Sequence, residues 1–144
     1  MKKILASFIA LLMITLLAVP ALAVESDSYS NSSMMTPNYT YIWQMSAGLK
    51  ISSAGKAHCL GTVDAPSNSH YVNLTVTLQK KNSSSWENVK SWSTSGIGQS
   101  GLIIEEDYYV ARGTYRVLTT AKIYNSTGTT LLESEPFNSQ ERAY

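Results

Sequence analysis

Between Tyr71 and Lys80 the sequence YVNLTVTLQK alternates without interruption. Val72, Leu74, Val76 and Leu78 fall on one side of an extended chain, and Asn73, Thr75, Thr77 and Gln79 on the other. Successive side chains of a strand point to opposite faces, so the segment predicts a strand with one buried face and one wet face. The β-branched residues in it suit a pleated surface.

The same texture recurs along the chain. Lys81–Ser85 reads as a turn and Trp86–Ser93 as the next strand, so the pair predicts a hairpin. Thr94–Gly101 reads as a glycine-rich loop, and Leu102–Val110 as another β-rich run. Ala111–Gly113 makes a bend before Tyr115–Tyr124, where Tyr115, Val117, Thr119, Ala121 and Ile123 share a face. Asn125–Gly128 is a turn signal, and Thr129–Phe137 a last short strand. Upstream, Lys56–Val63 sets Ala57, Cys59, Gly61 and Val63 on one face, and Tyr41–Ser52 holds one or two further strands. No amphipathic helix of useful length interrupts this series. The expectation is an all-β, antiparallel, immunoglobulin-like sandwich of about seven strands over residues 39–138, with a tail at 139–144.

The N-terminal stretch has a different character. Lys2 and Lys3 precede the apolar run Ile4–Val19, and Pro20-Ala21-Leu22-Ala23 follows it. A positive start, an apolar core and small residues at Ala21 and Ala23 predict a signal peptide helix over 1–23, cleaved after Ala23. The expected location is secreted, extracellular, with membrane contact only through the signal peptide during export. Residues 24–38 are Ser-rich and aperiodic, and read as a flexible polar leader. The chain has 11 Lys+Arg against 10 Asp+Glu. Removing Lys2 and Lys3 leaves the mature part at a net of −1, which argues against a generally basic nucleic-acid binder. Cys59 is the single cysteine, so no intrachain disulfide can form. An exported domain without a bridge fits a Gram-positive bacterium, where the five N-x-S/T sequons (Asn31, Asn38, Asn73, Asn82, Asn125) stay bare; in a eukaryotic host several would be glycan sites.

Gly113-Thr114-Tyr115-Arg116-Val117 resembles the tyrosine corner of immunoglobulin-like sandwiches, with Val117 where antibody domains carry their second cysteine. Cys59 then sits near the first cysteine position as a buried, partnerless thiol. Antibody domains also carry a Trp that the Val72–Leu78 strand lacks. Gly55–Val63, Thr75–Lys81, the series Trp86, Val89, Lys90, Ser91 and Trp92, and the Gly113–Val117 corner occur in that order after an export signal. Together they resemble a family of small exported proteins of clostridia and related Gram-positive bacteria, a domain of unknown function. The resemblance spans about residues 41–137 and implies export and a sandwich; it carries no catalytic or binding residues with it.

Chemistry-bearing residues are few. Gly96-Ile97-Gly98-Gln99-Ser100-Gly101 matches G-x-G-x-x-G, but a dinucleotide site needs that motif between a strand and a helix, and a β-rich segment follows here. His58 and Cys59 point to opposite faces of a strand, so a Cys–His nucleophile pair is not expected. His70 lies beside a Ser/Asn-rich turn and reads as solvated. The chain has too few His and Cys for a zinc site. In Glu105-Glu106-Asp107, Glu105 and Asp107 share a face; with Asp64 or Glu87 they offer oxygen ligands for Ca²⁺. They also offer carboxylates for glycoside hydrolysis, though a domain of this size has little room for a substrate cleft. A solvated edge is the plainer reading of that run.

Nine Tyr and three Trp outnumber two Phe, and Tyr and Trp both stack on sugar rings. Trp86 and Trp92 are six apart, so a regular strand puts both on one face, opposite Val89; periodicity leaves open which face is core. Trp86, Trp92, Tyr108 and Tyr109 are the candidate ligand-binding aromatics. No catalytic residue, cofactor or metal is assigned. The expected role is a secreted, non-catalytic binder of a protein or glycan at the cell surface. The alternatives are a small polysaccharide-acting enzyme using Glu105, Glu106 or Asp107, and a bacteriocin-like antagonist.

Overall fold

A computed structural model of the chain describes residues 33–35 and 39–144. The predicted signal peptide, its Ala21 and Ala23, and most of the leader lie outside them. Nine strands occur among the described residues: β1 (Ser33–Met35), β2 (Gln44–Ile51), β3 (Lys56–Asp64), β4 (Tyr71–Asn82), β5 (Ser85–Ile97), β6 (Leu102–Tyr109), β7 (Thr114–Tyr124), β8 (Leu131–Asn138) and β9 (Arg142–Ala143). Seven of them have eight or more residues. Every pairing is antiparallel. One sheet has the order β1-β2-β3-β6; the other has β5-β4-β7-β8, with β9 on β7.

The alternation read from Tyr71–Lys80 produces the core directly. Val72, Leu74, Val76 and Leu78 are at most 1% exposed. They meet Met45, Ala47, Ala57, Cys59 and Val63 of the facing sheet, and Val117, Ala121 and Ile123 beside them in β7. At ~25 cal/mol per Å² of buried apolar surface, such facing sets are the main force joining the sheets. Gly61 sets how close the sheets come. A Cβ there would lie 2.2 Å from Val76 Cγ2 and 2.8 Å from Thr119 Oγ1.

The corner is present. Tyr115 is 2% exposed, and its hydroxyl donates to the Ala111 carbonyl at 2.8 Å. Val117 and Cys59 are both fully buried. Strands β2, β3 and β6 facing β5, β4, β7 and β8, with that corner entering β7, make an immunoglobulin-like sandwich.

Four segments differ from the sequence reading. Thr94–Ile97 belongs to β5 rather than to a loop, which shrinks to the 3₁₀ turn Gly98–Ser100; Thr94, Ser95, Gly96 and Ile97 are held by pairing with Leu74, Asn73, Val72 and Tyr71. Residues 139–144 are not a tail. Ser139 is 8% exposed, its hydroxyl accepts from Val117 N–H at 2.8 Å, and Gly113 and Tyr144 exchange backbone hydrogen bonds at 3.1 and 2.9 Å. Within the leader, Ser33–Met35 form a strand against Met45–Ala47, since the β2 edge offers unpaired backbone groups. The fourth difference is a bulge. Gln79 pairs with Asn88 and Leu78 with Lys90, so Val89 is an extra residue in β5.

Candidate functional site

The bulge decides the fate of the candidate aromatics. One extra residue reverses the parity of everything beyond it. Trp92 pairs with Val76 and turns inward, partly buried against the core. Trp86 pairs with Lys81 and turns to the outer face. The expectation that both tryptophans share a face is therefore corrected.

Trp92 meets Tyr108 edge to face, with ring centroids 6.5 Å apart. These two rings close the flank of the sandwich where edge strands β5 and β6 approach each other. Trp86 lies under the Arg116 guanidinium, 4.2 Å from its centroid, and within 5.5 Å of Lys81 Nζ. Arg116 Nε donates to Gln79 Oε1 at 2.9 Å, and Gln79 Nε2 to Asn88 Oδ1 at 2.8 Å. Tyr109 is 72% exposed, but pairs with Lys56 on the outer face of the other sheet. The structure brings Trp92 and Tyr108 together, as packing, and leaves Trp86 and Tyr109 apart. No single platform forms from the four.

Glu105 and Asp107 share the outer face of β6, as expected, with Glu106 on the other. Their partner went unanticipated: His58 Nδ1 lies 2.8 Å from Asp107 Oδ1, and its Nε2 lies 3.0 Å from Glu105 Oε1. Lys56 Nζ adds an ion pair to Asp107 Oδ2 at 2.7 Å. Both imidazole nitrogens face carboxylate oxygens, and only the imidazolium donates to both at once. The Lys56 ammonium, then His58, holds the Asp107 carboxyl below the usual carboxylate range, and Asp107 holds the Lys56 ammonium above its own. An acid kept ionised in this way is the opposite of a proton donor for glycoside cleavage. Asp64 sits at the far end of β3 and Glu87 in the other sheet, bonded to Asn82, so the calcium ligands suggested around this run do not converge. No group of three or more His, Cys, Asp or Glu suited to a metal occurs among the described residues.

Cys59 is fully buried, and burial pushes its thiol up to about 12. His58 faces the other side of β3. His70 is not simply solvated: its ring meets Tyr41 edge to face at 5.0 Å, and its buried Nδ1 has no hydrogen-bond partner among the described residues.

The most exposed tryptophan was not among the candidates. Trp43 is 71% exposed, while Ile42 beside it is 3% exposed. Trp43, Met45, Ala47 and Leu49 have the same parity, so simple alternation buries them together. A bend at Trp43, just before β2 begins, turns the indole outward instead. The Trp43 backbone N–H donates to the Asp64 backbone carbonyl at 2.8 Å, which ties the bend to the end of β3. Trp43, Gln44, Asp64, Ala65 and Pro66 line a shallow depression of about 200 Å³. Gly101, at φ +62°, makes room for the carboxylate; a Cβ there would lie 2.5 Å from Asp64 Oδ1. The Asp64 carboxylate has no hydrogen-bond or ion-pair partner among the described residues. An open indole, an amide and an uncommitted carboxylate around one hollow suit a sugar ring. The indole stacks on C–H groups, while the carboxylate and amide take hydroxyl hydrogen bonds.

No family model, no curated protein and no solved structure matches this chain.

Proposed function

We propose that the protein is exported and acts outside the cell as a non-catalytic sandwich that binds glycan, with Trp43, Gln44 and Asp64 as the sugar subsite. The observation that carries this reading is the 71% exposed indole of Trp43 beside the Asp64 carboxylate, which has no partner among the described residues. A large aromatic surface left in water costs free energy unless a ligand covers it. Export is supported by the Lys2–Ala23 pattern, and a Gram-positive surface by the absence of a disulfide and by the resemblance to exported clostridial sandwich proteins. Trp86 and Tyr109 are not part of this subsite.

Tryptophan fluorescence against a panel of bacterial cell-wall and capsular glycans tests the reading. A binding glycan should shift the emission and protect one tryptophan from iodide. Trp43→Ala should weaken binding at least tenfold and Asp64→Asn several-fold, whereas Trp86→Phe should bind normally. Binding that survives Trp43→Ala, or no response across the panel, removes the proposal.

A further inference from the structure

At the end opposite Trp43 lie the turns 52–55, 82–85 and 110–113, together with β9. There Val110 N–H donates to the Gly55 carbonyl, and Gly113 and Tyr144 are joined by backbone hydrogen bonds. Eight of the nine basic residues in the described part lie toward this end: Lys50 and Lys56 flank the 52–55 turn, and Lys80, Lys81, Lys90, Arg112, Arg116 and Arg142 gather around the β4–β5 hairpin, the start of β7 and β9. The register sets Lys80 across from Tyr115, Tyr115 across from Arg142, Gln79 across from Arg116, and Leu78 across from Lys90. Of the acidic residues, Glu87 and Glu141 share this end; Glu87 is bonded to Asn82, and Glu141 to Lys81 at 3.0 Å. Glu105, Glu106 and Asp107 lie on β6, in the other sheet, where Asp107 pairs with Lys56 and His58; Asp64, Glu133 and Glu135 lie away from the six. The corner formed by the β4–β5 hairpin, the start of β7 and β9 therefore gathers six cations against two carboxylates.

Four of these cations are held over rings, Lys81 among them at 5.5 Å from the Trp86 centroid. Arg116 stacks on Trp86, Arg112 lies 5.0 Å from the Tyr144 centroid, and Lys80 lies 5.8 Å from that of Tyr115. Ring contact restrains the long side chains while leaving hydrogen-bond donors free to face outward. Arg116 uses Nε on Gln79, and its terminal nitrogens have no partner among the described residues. The tips of the three turns carry the small or charged residues Ser53, Ala54, Ser83, Ser84, Ala111 and Arg112, with the exposed Tyr109 as the single large ring beside them among the described residues of these turns.

We infer that this basic end is a second binding surface, and that its ligand is a linear, phosphate-bearing polyanion. Clustered Arg and Lys restrained near one another bind such a chain by releasing its counterions. Polar tips favour a polymer in solution over a lipid surface.

The probe is long-chain inorganic polyphosphate, titrated against the purified protein between 50 and 200 mM salt. The triple variant K81Q/K90Q/R112Q changes exposed side chains, and its melting curve checks folding. Lys122→Gln, elsewhere on the sheet, is the charge control. Wild type and Lys122→Gln should bind alike. The triple variant should bind at least about tenfold more weakly, with a log–log salt slope smaller by about 2, since each phosphate contact adds roughly 0.7. No binding, equal binding by the triple variant, or a slope unaffected by it overturns the inference. So does co-sedimentation with phosphatidylglycerol vesicles without any binding of polyphosphate. Sugar binding at Trp43 is read separately with the Trp43→Ala variant, so the two proposals fail independently.

Discussion

Single side chains show how burial rather than residue type sets chemistry in this protein. Cys59 illustrates it. Its thiol ionises near pH 8.5 when unfolded but only at about 12 when folded. The folded chain therefore holds one more proton in that window, so stability falls as pH rises through it, by about 1.4 kcal/mol per unit at most. Denaturant melts of the wild type between pH 8 and 11 should show this slope, and Cys59→Val should flatten it; parallel curves would show that the thiol has no part. Asp107 has the opposite sign. Its carboxyl is held low, so the stability from its pairing is full above about pH 4 and is lost as pH falls through the folded value. Asp107→Asn should make acid unfolding less steep below pH 4. Thr119 is fully buried, and its hydroxyl has no partner among the described residues. Thr119→Val keeps the shape and removes that desolvated group, so it should raise the unfolding free energy by about 1 kcal/mol, read by urea titration. A loss instead would mean that the hydroxyl finds a partner in solution.

At the scale of strands, the Val89 bulge matters most. It divides β5 into an inward-facing half with Trp92 and an outward-facing half with Trp86. Replacing Trp92 by Ala removes packing against the core and against Tyr108, and should cost about 3 kcal/mol; Trp86→Ala should cost about 1 kcal/mol, from the lost Arg116 stacking. Equal losses in thermal or urea unfolding would place both rings in the same environment and contradict the bulge. The C-terminal stretch acts as a latch on β7. Ser139→Ala leaves the buried Val117 N–H without its side-chain acceptor and should destabilise by about 1–2 kcal/mol. Legibility also stops at this scale. β4 was readable because both its neighbours keep strict alternation over Val72–Leu78. The inward turn of Trp92 and outward turn of Trp86 were not, because a bulge leaves no signature in Val89 itself. Trp43 was hidden for the same reason: a bend breaks a parity that the residues alone suggest.

Over the whole molecule, two sheets without a disulfide enclose Cys59 as a reporter of opening. A thiol reagent should label it only as fast as the sandwich unfolds, and rapid labelling of the native protein would show that the sheets separate locally. Charge is arranged on the same scale, with six cations clustered around the β4–β5 hairpin and β9, and at the other end Asp64 beside Trp43, without a partner among the described residues. Neither feature appears in the net charge. The amino-acid order alone determined the inward faces of β3, β4 and β7, that the fold is a sandwich, and that a corner tyrosine begins β7. Period-two alternation and local turn chemistry are properties of short segments, and they carry that information in the residues themselves. Only the tertiary structure decided that His58 meets Glu105 and Asp107, that Trp43 is the open indole, and that six cations share one corner around β4, β5, β7 and β9. Those groupings join residues distant along the chain through strand register, and register depends on bulges and bends that the whole assembly selects.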